Sequence, residues 1–401
     1  MSANASEVGD APPGVNTRPT RSGAFRHRFI GNCVSGRDYQ IAFSPTGATM
    51  LVTISDNEKP MPLKPCFLLR PAMLLAAQLL VAGLAFAAPA LAGCTGPNLF
   101  DQMPPERLAE IDAATNAVPY PTGNYWRATR GDMVITIVGT YHFDDPRHFE
   151  TLDVIAPKIT AATTVLVEAG PEEERQLLDL ISRDPSKIMI MKGPTLLETL
   201  PPETWAALSE ALTARGIPSF MATKLRPWYV TVLLAVPPCA MAEMVDPKGL
   251  DGLVIDTAEA AGVPVRALEP FDTVFGIFDA MSEAEQIMLI QSTLALEPQS
   301  AAQFITMADS YFAQESRKIW EFMRISSYDL PGLSRDEVDA EYKRFEELLS
   351  ASRNRAWIPV LLDAAGDGPV FAAFGALHLS GHDGVLDLLE AEGFTLTALP
   401  L

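Results

Sequence analysis

The chain has 401 residues, 48% of them hydrophobic, and a formal net charge of -20. That much apolar material suffices for one large core or two ordinary ones, which sets wholesale disorder aside. Residues 1–60 carry +1 and residues 61–93 carry +2, leaving -23 on residues 94–401, an anionic body that repels nucleic acid and anionic lipid.

Residues 1–60 scatter Gly, Pro, Ser and Arg without sustained periodicity, and read as a disordered or mis-assigned N-terminal extension ahead of a true start at Met61. Residues 61–93 have a cationic start at Lys64 and Arg70, an apolar run, and small residues at Ala88, Ala90 and Ala92. That layout predicts a secretory signal peptide, and hence a periplasmic or secreted protein. The competing reading is a membrane helix from about 71 to 93. The segment LAGC at 91–94 also has the form of a lipobox, in which an acylated Cys94 would tether an outer-membrane lipoprotein. The alternative pairs Cys94 with Cys239 in an oxidising compartment; it is preferred because acylation would leave Cys239 as an odd thiol.

The body reads as residues 94–401. An entry segment around the helical patch PERLAEIDAATNA is followed by alternating strands and helices from Tyr125 onward. Strands are predicted at VITIVG (134–139), TTVLVE (163–168), PSFMA (218–222) and VPVRALE (263–269), and helices at about 172–183, 203–215 and 253–262. Continuous apolar runs mean strands covered on both faces, so the expected fold class is α/β, a mostly parallel central sheet flanked by helices. Residues 282–352 are helical in pattern, and Ser282 with Glu285 and Ser334 with Glu337 form capping boxes; this predicts a helical insertion or lid. GPVFAAFG, the helix GVLDLLEAE and the strand FTLTAL then resume the sheet pattern.

Four of these strands end in a titratable residue: His142, Glu168, Glu269 and His378. The carboxyl ends of parallel strands face one crevice, so the four side chains can converge. Both histidines follow the spacing G-x-x-H, where the glycine permits a sharp turn and close backbone approach. Two imidazoles and a carboxylate make a zinc-type ligand set of His142, Glu168 and His378, which would lower the pKa of a bound water. The same residues could also work without metal, a histidine acting as general base and the carboxylate orienting it. His148, in DDPRH, reads as part of a surface turn, and His382 as a helix cap or rim residue. Asp251 is either the N-cap of its helix or part of the cleft. Arg353, beside Asn354, either clamps an anionic group or makes an ordinary ion pair. Lys224, Arg226 and Trp228 read as a structural anchor. A serine nucleophile elbow, a P-loop and a Cys-x-x-Cys motif are absent from the sequence.

VGTYH (138–142), LVEAG (166–170), RPWY (226–229), GLD (249–251), ALEP (267–270), SRN (352–354) and FGALHLSGHDGVLDLLEAEGF (374–394), in this order and spacing, resemble the TraB/GumN family. That family is related to the Tiki metalloproteases and more distantly to erythromycin esterase-like and ChaN-like proteins. The resemblance covers about 94–401. It implies an α/β fold with paired G-x-x-H motifs and a glutamate in one cleft, with His142, Glu168 and His378 at the centre and Arg353 nearby. For the Tiki branch it implies Mn- or Co-dependent peptide cleavage, for the esterase-like relatives hydrolysis without metal, and for the ChaN-like relatives haem binding. The expected function is therefore an exported hydrolase, peptidase-like and dependent on Mn, Co or Zn. Its alternatives are a metal-free esterase-like hydrolase and a non-catalytic haem-binding envelope protein.

Overall fold

The computed structural model describes residues 39–43, 50–54, 93–244, 249–329 and 332–401. The chain divides into two units, residues 1–86 and 87–401. In the first, strands β1 (Tyr39–Phe43) and β2 (Met50–Ile54) pair antiparallel with Tyr39 opposite Ile54. The rest of the extension, Met61 and the signal-peptide or membrane-helix stretch up to residue 92 lie outside the described residues. Among the described residues no helix is long and apolar enough to cross a membrane.

The second unit is built on strands β3 (Tyr125–Arg130), β4 (Met133–Thr140), β5 (Thr164–Val167), β6 (Val265–Ala267), β7 (Val370–Gly375) and β8 (Thr395–Ala398). Their order in the sheet is β6-β5-β7-β4-β3-β8. β6, β5, β7 and β4 run parallel, while β3 pairs antiparallel with both β4 and β8. The sheet is thus mostly parallel, as the apolar runs predict, and its four parallel strands deliver their carboxyl ends to one edge.

Helices before the insertion are α1 (Pro105–Thr115), α2 (His148–Thr160), α3 (Pro171–Arg183), α4 (Leu196–Thr199), α5 (Pro202–Ala214), α6 (Ser219–Ala222), α7 (Pro227–Leu234), α8 (Leu250–Ala260) and α9 (Thr273–Asp279). The insertion holds α10 (Glu283–Leu296), α11 (Ser300–Phe312), α12 (Ser316–Ser326) and α13 (Arg335–Glu346); α14 (Ser352–Asp367) follows it and α15 (Val385–Ala391) precedes β8. Both predicted capping boxes form, Ser282 with Glu285 and Ser334 with Glu337.

Side chains of a strand alternate between faces, and two cores separate accordingly. Ile135, Ile137, Leu166, Ala372 and Phe374 pack on one face against Trp357, Leu361, Leu386 and Leu389 of α14 and α15. Val138, Val165, Val167, Phe371 and Ala373 pack on the other against Ile155, Ile159, Leu250, Val254 and Tyr311 of α2, α8 and α11. A third core, with Leu208, Leu212, Leu233 and Ile290, joins α4 to α7 with α10.

Three local expectations are corrected. PSFMA forms α6 rather than a strand, because Pro218 opens a helical turn whose Met221 and Ala222 amides bond back to its carbonyl. DDPRH turns into α2 at His148, which is fully buried with its Nε2 2.9 Å from the Phe143 carbonyl, not a surface residue. The helix expected from about 253 begins three residues earlier, at Leu250.

Candidate active site

The two G-x-x-H segments are packed against each other. A Cβ on Gly139 would lie 2.6 Å from Leu379 Cδ1 and 2.9 Å from Ala376 Cα, so only glycine lets the end of β4 meet the turn that follows β7. From the other side, Tyr311 of α11 donates its hydroxyl to the Gly139 carbonyl at 2.9 Å. The insertion therefore supports the exit of β4.

Beyond that exit His142 projects outward, its side chain 61% exposed. Its Nδ1 lies 2.8 Å from Asp251 Oδ2, and Thr140 Oγ1 donates to the other oxygen of Asp251. The Asp251 charge pushes the His142 imidazolium up to about 9, with the hydrogen bond to Asp251 and the charge of Glu168 adding to it, against the partial loss of water around the crowded ring and the charge of Arg353. Asp251 itself is held below the ordinary carboxylate range: burial opposes this, but His142 and the Thr140 hydroxyl outweigh it.

His378 closes a short 3-10 turn, Ala376–His378, and is buried. Asn354 donates Nδ2 to the Asp383 carbonyl at 2.9 Å, which leaves Oδ1 to accept from His378 Nδ1 at 2.6 Å. With the proton on Nδ1, the bare Nε2 accepts from Arg353 Nη1 at 3.2 Å. Burial pulls His378 down to about 4; the charges of Arg353 and His142 also lower it, against the pull of Glu168. The two histidines thus differ in charge at neutral pH.

Glu168, one residue past β5, accepts the Gly375 amide on Oε1 at 2.6 Å and Arg353 Nη2 on Oε2 at 3.0 Å. Burial alone would raise its pKa, but the charges of His142 and Arg353 and the Gly375 amide outweigh burial and keep it ionised. Arg353 holds Glu269 in a fork, Nε to Oε2 at 2.8 Å and Nη2 to Oε1 at 2.7 Å, and Nη1 also reaches the Leu349 carbonyl at 3.0 Å. A guanidinium has five N–H donors, and all five are engaged within the protein. Arg353 is consequently a brace between Glu269, Glu168 and His378 rather than a clamp free to seize an anion. Glu269 faces this arginine and also accepts Trp357 Nε1 at 3.0 Å, so it supports the brace.

The groups converge on the bare Cα of Gly375. A Cβ there would stand 3.1 Å from Glu168 Oε1, 3.7 Å from His142 Nε2 and 3.7 Å from His378 Cδ2. His142, Glu168 and His378 therefore line one small cradle at the carboxyl edge of the sheet, with Arg353 and Glu269 behind it. A cleft of about 540 Å³, lined by residues 170–173 and 265–270, shares Glu269 as part of its wall and lies toward β6.

Among the described residues no group of three or more His, Cys, Asp and Glu side chains is arranged to hold a metal ion. The cause is visible in the bonding: His378 Nε2 and Glu168 Oε2, two donors that a divalent ion would need, both face the Arg353 cation. His148 and His382 stand outside the cradle, His148 buried and His382 exposed in the turn before α15, whose N-cap is Gly384. Arg226 and Trp228 form an anchor: Arg226 Nε bonds the Ser186 carbonyl at 2.6 Å, and Trp228, which is buried, bonds the Lys187 carbonyl, while the Lys224 carbonyl accepts the Ile190 amide at 2.7 Å. The Tyr311 support escapes sequence reading, since nothing marks one tyrosine in an amphipathic helix as the partner of a distant glycine.

A family model described as the TraB/PrgY/gumN family matches residues 124–398, which span every strand of the second unit and every residue of the cradle. Among curated proteins, none matches the chain.

Proposed function

The chain belongs to the TraB/PrgY/gumN family, and from that premise we propose that it is an exported hydrolase of peptide or ester bonds that works by paired acid–base catalysis. The observation that carries this reading is the cradle at Gly375, into which His142 Nε2 and Glu168 Oε1 both face. Two titratable groups whose surroundings drive their pKa values apart divide the roles of acid and base. Glu168, kept ionised, accepts a proton from water held in the cradle; that water attacks the carbonyl carbon. His142, kept charged, gives its Nε2 proton to the leaving amine or alkoxide. Arg353, itself bonded to neutral His378, holds Glu168 in place. This reverses the metal-free expectation drawn from sequence, in which the histidine is the base. The Cys94–Cys239 disulfide supports export, because such bonds persist in oxidising compartments.

The test is a panel of peptide and ester substrates offered to the full chain. His142→Ala and Glu168→Gln are each expected to lower kcat by about 10²–10⁴-fold. Activity that withstands a strong chelator fits these side-chain roles. Activity abolished by the chelator and restored by Mn, Co or Zn would replace them with the metal-dependent form, in which His142, Glu168 and His378 are ligands. Equal turnover in both variants would remove the cradle from the chemistry.

A further inference from the structure

We infer that Asp251 is a positioning residue for the proposed chemistry: it determines which ring nitrogen of His142 releases a proton, and the turn at residues 249–251 clamps the exit of β4 for that purpose. The inference rests on the acid role of His142 proposed above.

Three contacts carry it. Asp251 Oδ2 lies 2.8 Å from His142 Nδ1 and Oδ1 accepts the Thr140 hydroxyl, so both carboxylate oxygens engage one strand exit at residues two apart. A Cβ on Gly249 would fall 2.3 Å from the carbonyl carbon of His142 and 2.5 Å from the Tyr141 oxygen, so the two backbones are stacked without room for any side chain. Leu250 N then bonds the Tyr141 carbonyl at 3.0 Å. The N-cap of α8 is Gly249, and the Asp251 carboxylate, besides accepting its own backbone amide, turns both oxygens back to the exit of β4.

The chemical consequence follows from the imidazole itself. With the Nδ1 proton donated to Asp251, the proton available for transfer is the one on Nε2, the atom that lines the Gly375 cradle together with Glu168 Oε1. After transfer His142 is left neutral with its proton on Nδ1, still bonded to Asp251. A ring protonated only on Nε2 could not serve as the acid.

Asp251→Asn is the informative variant. If the amide oxygen keeps the Thr140 bond, its NH2 faces His142 and turns Nδ1 into an acceptor. The expected result is a fall in kcat of about 10²–10⁴-fold with KM unchanged. Nitrogen NMR of isotopically labelled histidine in the full chain is expected to show His142 Nδ1 passing from protonated to unprotonated. Asp251→Glu, which keeps the charge, is expected to retain the Nδ1 proton and recover part of kcat. A protonated Nδ1 in Asp251→Asn together with kcat within threefold of the parent would overturn the inference. If Asp251→Asn does not fold, an Asp251→Glu variant with an unprotonated Nδ1 would overturn it equally. If the parent hydrolyses nothing on the panel, the proposed function fails, and the NMR spectra alone still decide whether Asp251 sets the proton on His142.

Discussion

His142 and His378 end equivalent strand exits, yet one is pushed up to about 9 and the other pulled down to about 4. The difference is local: His142 faces a carboxylate at 2.8 Å, while His378 is buried with an arginine at 3.2 Å from its bare nitrogen. An acid must hold its proton, so turnover is expected to fall as pH rises through about 9. A carboxylate base must lose its proton, so turnover is expected to fall on the acid side only below the ordinary glutamate range, where Glu168 titrates. A flat kcat/KM across neutral pH with an alkaline limb near 9 is the expected profile; a single limb near the ordinary histidine value would contradict it. Stability carries the opposite signs of the two shifts. The raised His142 contributes stability that is present below its unfolded value and lost as pH rises toward about 9. The depressed His378 makes the unfolded chain the stronger proton binder between about 4 and its unfolded value, so stability rises with pH across that window. Thermal unfolding followed from pH 4 to 9 is expected to show both slopes, with the lower one lost in His378→Gln. The three residues of the cradle were legible in sequence because each ends a strand of a parallel sheet. Arg353 and Glu269 were legible as neighbours of the cradle but not as mutual partners, since five donors on one side chain can be apportioned only once the folded neighbours are known.

At the scale of elements, the two glycines of the G-x-x-H segments predict opposite outcomes for one substitution. Gly139→Ala drives a methyl to 2.9 Å from the Ala376 backbone and 2.6 Å from Leu379, between two strand exits that cannot separate without disturbing the sheet. Overpacking of that kind costs about 1–3 kcal/mol, to be read as a lowered denaturant midpoint. Gly375→Ala meets only side-chain atoms, at 3.1 and 3.7 Å, and neither glycine is among those with positive φ. Its expected outcome is a midpoint near that of the parent and, under the proposed mechanism, loss of hydrolysis, because the methyl intrudes on the space proposed for the attacking water. If Gly375→Ala hydrolyses as the parent does, the water is not there. Elements with a strong periodic signal were legible: β4, β5, β7, α3, α5 and the capped helices α10 and α13. β3 was missed because YWRATR mixes charged with aromatic residues; its two antiparallel partners, not its own pattern, make it a strand. α6 was misread for the converse reason, a short apolar run too brief for either period to show. The five-residue π-helical turn Glu347–Ala351 that joins α13 to α14 and precedes Arg353 carried no signal at all.

For the whole molecule, the α/β class follows from apolar runs, but the strand order β6-β5-β7-β4-β3-β8 does not, because pairing joins segments as distant as Thr164 and Val370. The same distance gives the disulfide its weight. Cys94 and Cys239 close a loop of 145 residues that contains β3, β4, β5 and the first seven helices of the second unit. In the chain-entropy account, cross-linking so long a loop restricts the unfolded chain by about 4–5 kcal/mol, and measured effects centre on about 2–4 kcal/mol. Neither sulfur is among the atoms around Gly375, so a Cys94→Ser, Cys239→Ser double variant should separate stability from chemistry. The expected result is a loss of about 2–4 kcal/mol in denaturant unfolding with an unchanged pH profile of turnover. Since an acylated Cys94 and a Cys94–Cys239 bridge require the same sulfur, the parent's intact mass under non-reducing conditions supplies the control. A bridged chain is lighter by two hydrogens and carries no lipid. A parent already as labile as the double variant, or a double variant as stable as the parent, would mean that the loop is held closed by the packing of the sheet alone.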